Sequence, residues 1–184
     1  MLEITIPGQE IWREDIEEFS TLPEVTIKLE HSLVSLSKWE AKYKKPFLGK
    51  SDHTALEMVD YIKFMTITQN VPEEAYFRIT QDIMNEIKNY IDDPMTATTF
   101  SKQQEAQMRS RGTGEKITSE LIYYWMIALQ IPFECQKWHL NRLLTLIQVC
   151  NLKNTPPKKM SRNDILSQNR ALNKARRAAH GTKG

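Results

Sequence analysis

The hydrophobic pattern of the chain changes period once, near residue 31. Before it, Leu2-Glu3-Ile4-Thr5-Ile6 and Val25-Thr26-Ile27-Lys28-Leu29 alternate apolar and polar, the two-residue period of a strand with one buried face. Pro7-Gly8 reads as a turn after the first run. Two such short strands make no stable sheet alone, so residues 1–31 are expected to pair together and lean on the helices.

From Ser32 the spacing is helical. Leu33, Leu36, Trp39 and Tyr43 form a stripe that must stop before Pro46. Asp52 is the expected N-cap of a second helix, with Ala55, Met58, Val59, Ile62 and Met65 on one face. Pro72 opens a third segment at Glu73, and Thr80 recaps it. Ile83, Ile87, Tyr90 and Ile91 then line a face that ends at Asp92-Asp93-Pro94. Thr118 caps the most apolar helix, with Leu121, Trp125 and Leu129 in register and Ile122 and Met126 beside them. After Pro132, residues 133–150 read as one long helix bearing Leu140, Leu143, Leu144, Leu146, Ile147 and Val149. These last two helices are apolar nearly all round, as a bundle centre or a partner surface would be. Leu121, Trp125, Leu129, Leu140, Leu144 and Ile147 are expected to pack together. The fold class is therefore mainly α: a small helical bundle with a short N-terminal β-hairpin element and a basic C-terminal tail, helical or disordered.

Charge divides the chain in a way that hydropathy does not. Residues 1–30 hold eight acids and two bases, residues 31–152 balance at fourteen each, and residues 153–184 hold nine bases and one acid. The net charge of +2 hides this polarity. The expected organisation is an acidic N-terminal β element (1–31), a helical body (32–152) with a flexible loop at 101–114, and a basic tail (153–184) set off by Pro156-Pro157. Two cysteines, Cys135 and Cys150, exclude a disulfide scaffold and point to a reducing compartment. The N-terminus lacks the basic and apolar regions of a signal peptide. The longest apolar run, 121–133, is too short to span a bilayer.

Candidate chemistry is sparse. Cys135 and His139, four residues apart, would share a helix face, but zinc needs two more ligands and the other Cys and His residues are scattered. They read as a buried thiol and a polar histidine, with no metal. Residues 112–116 imitate a zinc-finger linker and a phosphate loop without the flanking context of either. The acids at 14–18 (Glu14, Asp15, Glu17, Glu18) read as a solvated face. No nucleophile signature is present, so neither an enzyme nor a cofactor is expected. Core packing is the first expectation for all four tryptophans, Trp12, Trp39, Trp125 and Trp138. Lys137 and Trp138, turned away from Leu140 and Leu144, are the best interface candidates. In the tail, Arg162, Arg170, Lys174, Arg176 and Arg177 flank a thin seam of Ile165, Leu166, Leu172, Ala175 and Ala179 behind an N-cap at Ser161. Such a helix is marginal alone and should fold when docked on an acidic protein surface, either the net −6 N-terminal segment of a neighbouring copy or a partner. It has no stacking aromatic, which disfavours single-stranded nucleic acid.

Five runs are similar to those of a widespread small protein family of tailed bacteriophages, encoded among tail morphogenesis genes, of the tail assembly chaperone type. They are HSLVSLSKWEAKYKKPFL (31–48), DYIKFMTITQNV (60–71), YIDDPMTATTF (90–100), YYWMIALQIPFECQKWHLNRLLTLI (123–147) and PPKKMSRNDILSQNRALNKARRA (156–178). The resemblance implies a mostly helical, non-enzymatic protein of the host cytoplasm, absent from the mature virion. It implies that the tape-measure protein, and in turn tail-tube subunits, are its partners, with self-association open and no membrane involved. Met58, Met65, Met84 and Met126 would suit adaptable binding of an apolar partner. A structural component of the tail or head–tail joint, and a nucleic-acid-binding protein acting through residues 153–184, are the rival readings. Trypsin is expected to cut first at Lys102, Arg109 or Arg111, where no apolar anchor holds the chain; first cuts within 119–150 would contradict the loop.

Overall fold

The computed structural model describes residues 1–14, 17–49, 53–101, 116–154 and 162–181. By compactness the chain divides into Met1–Leu152 and Lys153–Gly184. Mainly α architecture holds, with seven α-helices among the described residues. The expected loop at 101–114 lies, but for Ser101, outside the described residues, as do the mimic motif at 112–115, Asp15, Asp52 and Ser161.

The N-terminal segment is one long hairpin in two ladders. Strand β1 (Leu2–Ile6) pairs antiparallel with β4 (Val25–Leu29), and β2 (Gln9–Arg13) with β3 (Glu18–Leu22). Leu2 faces Leu29, and Gln9 faces Leu22, so one register runs through both ladders. Pro7-Gly8 is thus a break in a continuing strand, a correction to the expected turn. Pro7 and Pro23 have no N–H to give, which ends the base ladder. Gly8 permits the close approach there: a Cβ on it would lie 3.0 Å from the Leu22 carbonyl oxygen. β2 and β3 escape the alternation test because their side chains are mostly exposed on both faces.

The base ladder buries Ile4, Ile6, Ile27 and Leu29 against the helices. Helix α1 (Leu33–Tyr43) buries Leu33, Leu36 and Trp39, and its start is a capping box in which Ser32 and Ser35 exchange hydrogen bonds. Helix α2 (Ala55–Met65) starts at Thr54, whose hydroxyl accepts from the Glu57 N–H. Its buried residues are Tyr61, Ile62 and Met65, while Ala55 is exposed, so the seam lies toward the C-terminal end. Helices α3 (Glu73–Phe77) and α4 (Gln81–Asp92) begin after Pro72 and at the Thr80 cap, and Ile87 and Tyr90 are buried as the stripe requires.

Helix α5 (Ser119–Ala128) starts at the expected Thr118 cap but turns a different face inward. Ile122 and Met126 are buried, whereas Leu121, Trp125 and Leu129 are only partly so. A helix apolar on every side gives periodicity nothing to choose with. The expected long helix over 133–150 is also corrected. Pro132 starts a 3-10 turn, Phe133–Lys137, and helix α6 (Leu140–Asn154) begins only after Trp138 and His139. There the chain is drawn out to pair with the joint between β4 and α1: His139 bridges Ser32, and the Leu140 N–H donates to the His31 carbonyl at 2.7 Å. Leu140, Leu143 and Ile147 face the core, and Leu144 sits at its margin. Met65 and Met126 are fully buried, and Met58 and Met84 pack on the core, so these methionines fill space rather than line an open surface. Helix α7 (Arg162–His180) belongs to the second unit.

Leu143→Ala, at a side chain with no exposure, should cost about 2–5 kcal/mol in denaturant unfolding. Leu144→Ala should cost visibly less. Equal losses would show that α6 turns a different face inward.

Candidate partner-binding surfaces

The residues best suited to acid–base work lie inside. His31 and His139, their rings 5.1 Å apart, are both buried. Tyr61 Oη and His31 Nδ1 share a hydrogen bond of 2.6 Å. His139 Nε2 donates to the Tyr90 carbonyl at 2.9 Å, which fixes its tautomer and leaves a buried Nδ1 lone pair with no donor. Tyr90 Oη in turn donates to Glu30 at 2.7 Å. Burial, helped by the neighbouring His139, pushes the His31 pKa down to about 3, and burial lowers that of His139 as well. Both imidazoles are neutral in the fold. Cys135 and His139 do not share a helix face after all, since Cys135 is in the 3-10 turn and His139 beyond it. Burial raises the Cys135 thiol pKa, which keeps it unreactive.

A buried carboxylate sets the position of α5. Glu40 accepts the Phe47 N–H at 2.9 Å and the Ser119 N–H at 2.7 Å, so one side chain satisfies the first turn of a helix far away in sequence. Beside it a cleft of about 370 Å³, lined by Lys44, Lys45, Pro46, Thr118 and Glu120, opens to solvent. Lys45 is held there by Glu57 at 2.7 Å. Trp39 donates to the Glu57 carbonyl, and Lys42 and Tyr43 both bind Asp60, whose pKa these hydrogen bonds lower.

With its position fixed, α5 presents large apolar side chains outward. Tyr124 and Ile127 are 63% and 62% exposed. The following turn adds exposed Phe133, and a Tyr123–Gln136 hydrogen bond of 3.0 Å ties helix to turn. Trp138 is at the margin of exposure, with the Arg142 guanidinium 4.5 Å above its ring, and Lys137 is exposed. The structure therefore places Lys137 and Trp138 at the end of the 3-10 turn that follows α5, rather than on the far side of a helix. Of the tail residues, Arg170, Lys174, Arg176 and Arg177 are exposed on α7; Arg162 is its first residue. A second exposed aromatic pair, which sequence reading missed, is Trp12 with Phe19 on the outer ladder, edge-on at 5.0 Å. Trp12 was expected in the core; an exposed hairpin tip with no alternating pattern gave no signal otherwise.

Among the described residues no helix is long and apolar enough to cross a membrane, and no group of His, Cys, Asp and Glu side chains is arranged to hold a metal ion. Compared with protein-family models, curated proteins and solved structures, the chain finds no match.

Depressed histidine pKa values make the fold acid-sensitive. The unfolded chain takes up protons near pH 6.5 that the fold refuses, so stability is full above that value and falls as pH drops toward 3. The slope should approach about 1.4 kcal/mol per pH unit for each refused proton. His31→Gln should flatten the Tm-against-pH curve between pH 6.5 and 4, whatever it does to the plateau. An unchanged slope would show that His31 protonates as readily in the fold as out of it.

Proposed function

We propose that the protein is a non-enzymatic tail assembly chaperone that holds the tape-measure protein in solution, in the host cytoplasm, until tail-tube subunits close around it. The observation that carries this reading is the outer face of α5, where Tyr124 and Ile127 stand exposed on a helix fixed from behind by Glu40. Scattered exposed apolar side chains are ordinary on a folded protein; a rigid helix that turns two large ones outward, followed by Phe133 and Trp138, suits an amphipathic helical partner. Tyrosine and tryptophan supply contact area at low conformational cost, and Lys137 and Arg142 add charge at the rim. The chemistry-bearing histidines support a binding role by being spent on structure. The resemblance of the five sequence runs names the partner.

Nucleic-acid binding through α7 is the second reading, favoured by the exposed bases Arg170, Lys174, Arg176 and Arg177. The virion-component reading differs in location, since abundance in purified particles would sink the chaperone role.

Co-expression with the tape-measure protein should keep that protein soluble and recover the two together. Tyr124→Glu with Ile127→Glu should lower recovery at least tenfold while Tm moves by only a few degrees, since neither side chain is buried. Undiminished capture would remove α5 from the interface. Failure of the intact chain to solubilise its partner would remove the function itself.

A further inference from the structure

The hairpin continues its core-facing side beyond the core. In the base ladder that side is Ile4, Ile6, Ile27 and Leu29. Carried through the single register, the same parity in the outer ladder gives Glu10, Trp12, Phe19 and Thr21. Trp12 and Phe19 stand opposite each other and are 52% and 71% exposed. Around them the arm is acidic: residues 9–22 hold five acids and one base, and Glu10, Glu14, Glu17 and Glu18 are exposed. An apolar pair within an acidic field calls for a partner that is apolar on one line and basic beside it.

The chain contains such a segment. From Ile165 to His180 every side chain of α7 is exposed. Ile165, Leu172 and Ala179 recur at seven-residue intervals along one line of the helix. Residues 162–180 hold five Lys and Arg against one acid, which matches the arm in size and opposes it in sign. Two helical turns, about 10 Å, separate Ile165 from Leu172, so the two can close on either side of the Trp12–Phe19 pair, whose ring centroids are 5.0 Å apart.

We propose that the outer ladder of one copy is the docking site for α7 of a second copy, with Ile165 and Leu172 on Trp12 and Phe19 and the α7 bases among the arm's acids. Reciprocal exchange of α7 closes a two-fold dimer, and head-to-tail exchange builds a ring or a short chain; both contain the same contact between copies. The inference goes beyond the chaperone reading and does not depend on what the α5 surface captures.

Sedimentation of the full chain tests it. At low salt the mass should exceed one copy and fall toward one copy as salt rises. Arg176→Glu with Arg177→Glu should weaken association at least tenfold, as should Glu17→Arg with Glu18→Arg. All four changes in one chain should restore it. These side chains are exposed, and circular dichroism checks that each variant is folded. Independently, carbodiimide treatment of mixed heavy- and light-isotope protein should join Lys174 to Glu17 or Glu18 between copies of different isotope. Three results would overturn the proposal: a single-copy mass at all concentrations, cross-links confined to one copy, or association indifferent to both charge reversals. A single-copy protein that binds duplex DNA through Arg176 and Arg177 would assign α7 to nucleic acid instead.

Discussion

Three residues at the joint between β4 and α1 hold most of the body together. The Glu30 N–H donates to the Met65 carbonyl, and its carboxylate takes Tyr90 Oη on one oxygen and the N-terminal ammonium on the other. His31 meets Tyr61 through its ring and Leu140 through its carbonyl. Ser32 caps α1 and bridges His139. Strand β1, α2, α4 and α6 are thus fixed by contacts to one short segment. The buried groups there are nearly all satisfied, which makes the joint specific as well as stable. Its weakness is the neutral histidine pair. A proton on either ring would put a charge into a site shared by four elements, and burial leaves water no access to screen it.

The arm depends on the same joint at one remove. A two-stranded hairpin is marginal in water, and only the base ladder lies on the core. Where the base ladder ends, Arg78 donates to the carbonyls of both Pro7 and Pro23, at 2.8 and 3.1 Å. One guanidinium thereby clasps the two strands where prolines interrupt their own hydrogen bonds. The outer ladder inherits its register from the base through this clasp and the Trp12–Phe19 pair. The acids beyond it discourage strand-to-strand aggregation, which an uncharged exposed ladder would invite.

Features decided by local physics are the ones the sequence displays. Thr80 and Thr118 cap helices as their position before an apolar stripe predicts, because a cap needs only its own next few residues. The α4 stripe is legible for the same reason: a helix polar on one side has one face to bury. Three features were not legible, each decided at long range. The 3-10 turn and late start of α6 come from pairing with the β4–α1 joint, more than a hundred residues earlier. Burial of Ile122 and Met126 in place of Leu121, Trp125 and Leu129 results from Glu40 gripping the Ser119 N–H. The outer ladder has no alternation because no core lies against it. Of the candidate site, Lys137, Trp138 and the α7 bases were visible as charge and aromatic placement, while Tyr124, Ile127 and Phe133 were hidden among equally apolar core residues.

Stability and recognition consequently reside in different side chains. Leu33, Leu36, Trp39, Ile122 and Leu143 have no exposure, and each should contribute about 1.5–3 kcal/mol through burial. Tyr124, Ile127 and Phe133 contribute little to the fold, and together with the Trp12–Phe19 pair they are the side chains a partner would cover. On the proposed chaperone reading the client must be released, so the surface has to bind through a few anchors without a deep pocket, and exposed aromatics on a rigid support meet that need. Rigidity comes from the core side: Glu40 behind α5, and Arg78 behind the arm, fix where the anchors stand before any partner arrives. Positioned anchors lower the ordering cost of binding. On the same proposed reading, a client longer than one copy would be held by several copies at once, each weak, and shed one copy at a time as another protein polymerises along it.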